Sequence, residues 1–135
     1  MSKTFTLQQA NEMLPEVQRR LGLILQKRSA YLRIHDAVFV QELAHDAEKK
    51  AGADLFDSDL EKDIQNLEET IYDLAKEIDG LIDLGCVLRS LDLGLVDFPG
   101  QHQGERVFFS WKTGEKEIGF IRRRANNASE RVPLN

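Results

Sequence analysis

The chain has 135 residues, of which 41% are hydrophobic and 30% charged, and its formal net charge is −5. This length fits one domain, or a helical part with one small appendage. No apolar run approaches the ~20 residues of a membrane span, and the opening residues 1–4 show no apolar targeting segment. The single cysteine, Cys86, excludes an intrachain disulfide framework and cannot alone form a cysteine metal site. These features predict a cytoplasmic protein with no membrane contact.

Charge is unevenly distributed along the chain. Residues 36–79 carry fourteen acidic and four basic side chains, a net of −10, whereas residues 105–135 carry seven basic and four acidic ones. A long acidic stretch is typical of solvated helix faces. The adjacent arginines at 122–124 could contact an anion or a nucleic acid, but three arginines are a weak signal. The sequence therefore does not favour a nucleic-acid partner.

The first predicted helix begins at Thr6. Thr6 and Gln9 have the spacing of a capping box, in which each side chain accepts a backbone N–H of the other residue. Pro15 follows about two turns later, where it removes a backbone donor and crowds the preceding turn. We expect a kink or a restart near Leu14 for this reason. Apolar residues then recur at helical spacing as far as about Glu48.

The second predicted helix carries the clearest pattern in the sequence. Isoleucine and leucine alternate at steps of four and three over three heptads, which places one apolar seam along one side of a helix. The seam consists of Leu60, Ile64, Leu67, Ile71, Leu74, Ile78 and Leu81. Ser58 and Glu61 form a second capping box, and Gly85 is the better of two candidate C-terminal caps. The two helices predict a long antiparallel, coiled-coil-like hairpin over residues 1–84.

After Gly85 the pattern changes to short segments rich in valine, leucine and phenylalanine, which are typical of antiparallel strands. The segments are Cys86–Leu88, Leu93–Phe98, Arg106–Trp111 and Glu117–Ile121, and the turns between them are Pro99–Gly100, Gln103–Gly104 and Thr113–Gly114. We predict a small antiparallel sheet of three or four strands over residues 85–124, packed at the base of the hairpin. Residues 125–135 are predicted to form a tail. The fold class is α+β.

Along nearly its whole length, the chain resembles the uncharacterised prokaryotic family known as domain of unknown function 2203. The residues that carry the resemblance are Phe5–Leu7, Ala10–Asn11, Leu14–Pro15, Gly85–Cys86, Leu91–Pro99, Gly104, Trp111, Gly114–Glu115 and Ile118. The family has no assigned activity, so the resemblance implies none. The chain also departs from the family pattern, in which an acidic residue is usual at Ser90, a cysteine at Ser110 and a Trp-His pair at Ile121–Arg122. A chemical centre that used this histidine or cysteine would be absent here.

Charged residues cluster in the sheet segment and offer a candidate ligand-binding or catalytic site between the sheet and the helix bases. The candidates are Arg89, Asp92, Asp97, Arg106 and Trp111. In the alternative interpretation, Asp97 accepts backbone N–H groups of its own turn, and arginine–carboxylate pairs clamp the sheet to the helices. We favour this structural interpretation for Asp92 and Asp97. The prediction names no catalytic residue, no metal and no cofactor.

Two further residue types capable of chemistry are interpreted as structural. Cys86 follows a helix cap and has no evident histidine base in its sequence context, so we predict a small buried hydrophobe. His35 lies between apolar residues, so we predict that it is half-buried and pairs with an acid on the opposite helix. Glu42 and His45 have the Glu-x-x-His spacing of di-iron bundles, but the second helix contains no histidine to complete such a site.

The loop between the helices is acidic with two apolar residues. Its candidate contact residues are Asp54, Leu55, Phe56 and Asp57. An acidic tip on a long helical finger resembles the layout of transcript-cleavage factors of the Gre type, which would imply a protein partner such as RNA polymerase. In the alternative, which we favour, Asp57 caps the second helix while Leu55 and Phe56 pack the turn.

The leading functional hypothesis is a non-enzymatic interaction or scaffold protein that forms a homo-oligomer through its helical hairpin. Two helices that bury one seam leave the broad apolar stripe of the first helix partly covered, and another copy would cover it. The predicted oligomer seam is Tyr31, Leu32, Val38 and Phe39. The alternatives are the ligand or catalytic site above, and engagement of RNA polymerase or nucleic acid through the tip or the basic C-terminal segment.

Overall fold

The structure, a computed structural model, describes residues 3–52, 58–123 and 130–134. Two helices are followed by one antiparallel sheet whose strand order follows the chain. The elements are α1 (Leu7–Lys50), α2 (Ser58–Ile82), β1 (Val87–Ser90), β2 (Leu95–His102), β3 (Glu105–Lys112), β4 (Phe120–Arg123) and β5 (Val132–Pro133). The α+β prediction is confirmed. In the described ranges, neither helix has a stretch long and apolar enough to cross a bilayer.

Contacts divide the chain into two compact units. We call residues 1–22 with 78–135 the sheet unit, because they include the whole sheet together with the beginning of α1 and the end of α2. We call residues 23–77 the hairpin unit, because they contain the remaining parts of the two helices.

Helix α1 begins as the capping box predicts. The backbone N–H of Gln9 donates to Thr6 Oγ1 at 3.1 Å, and the backbone N–H of Thr6 donates to Gln9 Oε1 at 2.9 Å. These bonds satisfy donors that the first turn of a helix leaves open. The helix continues through Pro15 without interruption, so the predicted restart near Leu14 is wrong. The kink stays a prediction.

The core of the sheet unit lies between one face of the sheet and the first turns of α1. Alternate residues of the strands, at period two, and residues of α1 at steps of four and three supply apolar side chains. The buried side chains are Ala10, Leu14, Val17, Leu21, Val96, Phe98, Val107, Phe109, Trp111 and Ile121. Burial of one large side chain of this kind stabilises a fold by ~1.5–3 kcal/mol.

Pro99–Gly100 was predicted to be a turn, and this prediction is wrong, because both residues lie inside β2. The carbonyl of Pro99 accepts the N–H of Phe5 at 2.7 Å. This carbonyl therefore points toward the N-terminal segment and not toward β3. A proline is tolerated there because β3 needs no donor from it. A Cβ at position 100 would collide with the Phe5 carbonyl oxygen and the Phe109 ring, which explains the glycine.

The remaining turns are partly as predicted. Gln103 and Gly104 have φ of 53° and 78° and connect β2 to β3, as a two-residue turn with positive φ at both positions should. The chain also turns at Gly114, but β4 begins only at Phe120 and not at Glu117. Ile118 instead lies buried before the strand, and its N–H donates to Asn11 Oδ1 at 2.8 Å. Val132–Pro133, within the predicted tail, forms a fifth strand against β4.

The hairpin unit pairs the two helices in antiparallel fashion. Gln41 Nε2 donates to Asp63 Oδ2 at 3.0 Å, and Lys27 Nζ donates to Glu77 Oε1 at 3.3 Å. The seam of α2 is unevenly covered, because Leu60 is buried whereas Ile71 is exposed. The candidate tip residues, Asp54, Leu55, Phe56 and Asp57, lie outside the described residues.

The prediction for His35 is wrong. Its ring is exposed, and Nδ1 lies 3.5 Å from Oδ1 of Asp36 on the same helix. The ring also lies against Tyr31, with 5.6 Å between centroids. His35 therefore pairs along its own helix and does not link α1 to α2.

Candidate functional site

The sheet has a second face, opposite the apolar one, and strand register shows which residues share it. Asp97 pairs with Ser110, and Ser110 pairs with Phe120. Two residues before Ser110 on β3, and therefore on the same face, Phe108 pairs with Arg122. Residues directly opposite each other on antiparallel strands project from the same face. We call this face, with Asp97 and Ser110 at its centre, the polar face.

Asp97 is the most unusual residue of the polar face, because its carboxylate is fully buried (0% exposed). Its Oδ2 accepts hydrogen bonds from Arg89 Nε at 2.9 Å and from Arg122 Nε at 3.0 Å. The side chain of Arg122 is 9% exposed and that of Arg89 is 38% exposed. A buried carboxylate is tolerated when charged donors of this kind compensate for its lost hydration.

The other oxygen of the same carboxylate is left over. Within the part of the chain that the structure describes, Asp97 Oδ1 is buried and has no hydrogen-bond partner. Most buried side-chain acceptors in folded proteins do have a partner, so an orphan acceptor calls for an explanation. It distinguishes Asp97 from the other buried polar side chains of the described residues.

A third arginine, Arg131, binds Ser110, which pairs with Asp97 across the two strands. Arg131 donates from Nε to Ser110 Oγ at 2.9 Å and from Nη2 to the Ser110 carbonyl at 3.0 Å. Its Nη2 also donates to Glu115 Oε1 at 2.7 Å. Ser110 itself is fully buried. We call the group of Arg89, Arg122, Arg131, Asp97 and Ser110 the arginine cluster.

Two aromatic rings lie under the outer guanidinium groups of the arginine cluster. Arg89 Cζ is 4.5 Å from the centroid of the Phe108 ring, and Arg131 Cζ is 4.3 Å from that of Phe120. Such stacking orients a guanidinium while leaving its edge available for hydrogen bonds. The carboxylates of Asp97 and Glu115 accept hydrogen bonds from these three arginines, so the polar face is built on arginine–carboxylate pairs.

The five residues predicted for a ligand site are only partly brought together. Arg89 and Asp97 are in contact, whereas Asp92 is exposed between β1 and β2, and Arg106 is exposed on β3. Trp111 is buried in the apolar face, where its Nε1 donates to the Glu115 carbonyl at 2.9 Å, so it does not provide a stacking wall on the polar face. The turn interpretation of Asp97 is also wrong, because the residue lies inside β2 and binds arginines from other strands.

Sequence reasoning missed two members of the cluster, Ser110 and Arg131, and did not pair Arg122 with Asp97. Strand alternation could have found Ser110, because it falls between the apolar residues Phe109 and Trp111 of β3. Arg131 lies in the predicted tail, and no pattern in the sequence pointed to it.

Cys86 is buried, as the sequence predicts. Its thiol donates to the Leu81 carbonyl at 3.3 Å, and burial raises the pKa of the thiol to about 11. A thiol that stays protonated at neutral pH is unreactive, so the prediction of a small buried hydrophobe is confirmed. Among the described residues, no three side chains of His, Cys, Asp or Glu converge as metal ligands would.

A cavity of about 330 Å³ lies in the sheet unit at the beginning of α1, and its lining includes Thr4, Gln9, His102 and Phe109. The Gln9 side chain is already engaged in the capping box, and the His102 ring meets the edge of Phe109 at 6.5 Å. The cavity shows no orphan buried group comparable to Asp97 Oδ1, so the arginine cluster is the better candidate.

The family is decided by comparison with family models. A family described as "Uncharacterized conserved protein (DUF2203)" matches residues 3–134, nearly the whole chain. The chain belongs to this family. Comparison with curated proteins and with solved structures gave no match. Membership of the DUF2203 family carries no activity with it, so any function has to come from the geometry above.

Proposed function

We propose that this protein is a non-enzymatic interaction or scaffold protein that self-associates through its hairpin unit. One observation carries the proposal: α1 has an exposed apolar stripe. Leu32 is 42% exposed, and Phe39 and Leu43 are each 55% exposed. They follow one another at steps of seven and four, so they lie on one side of the helix. Exposed apolar residues that line up in this way mark contact surfaces.

The stripe faces away from α2. Lys27 and Gln41, which bind α2, mark the side of α1 that meets its partner helix, and Val38 is buried on the same side. At 3.6 residues per turn, the centre of the stripe lies roughly 150° around the helix from that side. Helix α2 of the same chain therefore leaves the stripe uncovered.

The spacing of the stripe favours a second copy of this chain as the occupant. Leu25 precedes Leu32 by one heptad, so Leu25, Leu32 and Phe39 repeat every seven residues. Such a repeat pairs with another helix of the same repeat. A two-fold arrangement lets the stripe meet its own copy, which is the commonest way in which soluble chains form oligomers.

The contact surface that we propose differs in part from the oligomer seam predicted from the sequence. Of its four residues, Leu32 and Phe39 belong to the exposed stripe and Tyr31 is half-buried. Val38 is only 4% exposed and is buried inside the protomer. Leu43 takes its place in the proposed contact surface. A protein partner at the tip remains a separate prediction.

Charge works against this association. Residues 36–79 have a net charge of −10, so two hairpin units repel each other. Salt screens repulsion between exposed charges and leaves apolar contact intact. We therefore expect association to strengthen with ionic strength, whereas an association held together by ion pairs would weaken.

A cytoplasmic location is part of the proposal. The only cysteine is buried and protonated, so the fold uses no disulfide. An absence of disulfides is usual for proteins of reducing compartments.

The proposal is tested by sedimentation and native mass spectrometry of three proteins. The unmodified chain should be an oligomer at tens of micromolar, and Leu32→Ser with Phe39→Ser should be a folded monomer, because both residues are exposed. Val40→Ser is the control, since Val40 is 62% exposed but lies about 100° around the helix from Phe39. It should leave the oligomer intact. A monomeric unmodified chain would reject the proposal.

A further inference from the structure

One carboxylate interrupts the apolar stripe of α1. Steps of four and three along the helix give the series Leu25, Ser29, Leu32, Asp36, Phe39 and Leu43. Asp36 therefore occupies a heptad position between two exposed apolar residues. Its side chain is 82% exposed, and that of the neighbouring His35 is 48% exposed. A second copy of the chain that covers Leu32 and Phe39 must also cover the carboxylate of Asp36.

His35 is the neighbour that can compensate for this carboxylate. Its Nδ1 lies 3.5 Å from Oδ1 of Asp36, and among the described residues this is the one ion pair that either side chain forms. The imidazole ring lies against Tyr31, one turn earlier on the helix, with 5.6 Å between the ring centroids. The ring is thus held at the edge of the stripe, beside the carboxylate. The pair is ionic only when the imidazole carries its second proton.

Other charged groups lie around His35, on its own helix and on α2. The charged residues of α1 one heptad away are Arg28 and Glu42. The hydrogen bonds between the two helices place Glu69 level with His35, and the neighbouring carboxylates of α2 are Glu68 and Asp73. In the described part of the chain, no ion pair joins His35 to any of these groups. Asp36 is therefore the acid through which His35 acts.

We propose that pH controls the self-association of the hairpin unit through His35 and Asp36, and that acidification strengthens it. This inference rests on the proposed function. Covering Asp36 takes its carboxylate out of water, which is costly unless an opposite charge accompanies it. A histidine takes up a proton from solvent between about pH 8 and pH 5. Protonated His35 supplies the compensating charge, whereas neutral His35 leaves an unpaired carboxylate in the contact surface.

The direction and the size of the effect follow from proton linkage. Association that covers a protonated pair takes up protons, so it becomes tighter as the pH falls. A two-fold contact contains two such pairs, so the dissociation constant can fall by up to about a hundredfold for each pH unit. Because uptake is incomplete at each end of the titration, we expect tightening of at least about tenfold from pH 8 to pH 6.

Sedimentation equilibrium of the unmodified chain at pH 6 and at pH 8, in the same high salt concentration, tests the proposal. Salt screens the general repulsion between exposed charges, whereas a covered ion pair is screened much less. Tighter association at pH 6 is the expected result. Equal dissociation constants at the two pH values would overturn the pH control and leave self-association standing. A monomer at both pH values would reject self-association together with its control.

Matched histidine variants locate the proton. His35→Gln should reduce the pH dependence to less than about twofold, because glutamine is uncharged at both pH values. The control is His45→Gln, which removes the other histidine of the hairpin unit, about 120° around the helix from Phe39. It should keep the full dependence. Equal losses of pH dependence in the two variants would show a general charge effect and reject the proposal.

The carboxylate is tested by Asp36→Asn. This change removes the charge that needs compensation, so association should be tight at pH 8 and nearly independent of pH. Circular dichroism checks that each variant is folded, as expected for changes at exposed side chains. Dependence on pH that persists in Asp36→Asn would overturn the role of the pair. Dependence that persists in His35→Gln and is lost in Asp36→Asn would place the proton on the carboxylate and contradict the role of His35.

Discussion

The sheet unit and the hairpin unit differ in how far their large apolar side chains are exposed to solvent. In the sheet unit, Phe98, Phe109 and Trp111 are almost completely removed from solvent. In the hairpin unit, Leu32, Phe39 and Leu43 stay about half exposed. The sheet unit therefore buries its largest side chains within one copy of the chain, whereas the hairpin unit leaves large apolar side chains exposed.

The difference has an energetic consequence. Helices in water depend on burial of an apolar face more than on intrinsic propensity. The seam of α2 is only partly covered, with Ile71 exposed, so the hairpin unit gains less from burial than its sequence pattern allows. We expect the two units of an isolated chain to differ in local stability.

The largest predicted effect concerns the buried carboxylate of the sheet unit. Asp97→Ala removes the acceptor of two guanidinium bonds and takes the buried carboxylate away from Arg122. Breaking a buried ion pair in this way should cost about 3–5 kcal/mol. Urea denaturation measures the loss directly.

Glu117→Ala is the control for that experiment, because it removes an exposed carboxylate from the same unit. Its effect should stay within about 0.5 kcal/mol. If Asp97→Ala were as stable as Glu117→Ala or more stable, the ion pairs of Asp97 would contribute nothing to the free energy of unfolding. The arginine cluster would then not hold the sheet unit together.

A smaller effect is expected at the beginning of α1. Thr6→Ala removes the side-chain acceptor of the Gln9 N–H and should cost about 1 kcal/mol. Thr6→Ser keeps the hydroxyl and should cost much less. Thermal unfolding of both variants checks this, and equal melting temperatures would show that the capping box contributes little.

How far the sequence predicts this molecule depends on the range of the interactions. The capping box at Thr6, the heptad series of α2 and the Gln103–Gly104 turn were all predictable, because each depends on neighbours within one or two turns of chain. Pro99–Gly100 was misread because the residues pair with Phe108 and Val107 of β3 in spite of their turn composition. The N–H that the Pro99 carbonyl accepts comes from Phe5, which is distant in sequence.

The candidate site was less predictable for the same reason. Asp97 and Arg89 could be named as charged residues near one another in sequence, but their partners are set by strand register. Arg122 reaches Asp97 across β3, and Arg131 returns to Ser110 from a segment with no strand pattern. The sequence shows that arginines are present, but it does not show which carboxylate each arginine contacts.

The smallest effect is expected in alkaline solution. Burial raises the pKa of Cys86 to about 11, against about 8.5 for an exposed thiol. The folded chain thus holds this proton more tightly than the unfolded chain. The resulting stability is fully present below about pH 8.5 and is lost as the pH rises toward 11. Near pH 9, the free energy of unfolding should fall more in the unmodified chain than in Cys86→Ala, and parallel profiles would contradict this.

Residue-resolved hydrogen exchange at low and high protein concentration tests the central comparison most directly. We predict that amides of α1 around Leu32, Phe39 and Leu43 become slower to exchange as concentration rises, because a second copy covers the stripe. Amides of β2 and β3 should not change, since the sheet unit buries its largest side chains within one copy of the chain. In the Leu32→Ser, Phe39→Ser variant the dependence on concentration should disappear. Exchange in α1 that is the same at both concentrations would contradict self-association through the hairpin unit.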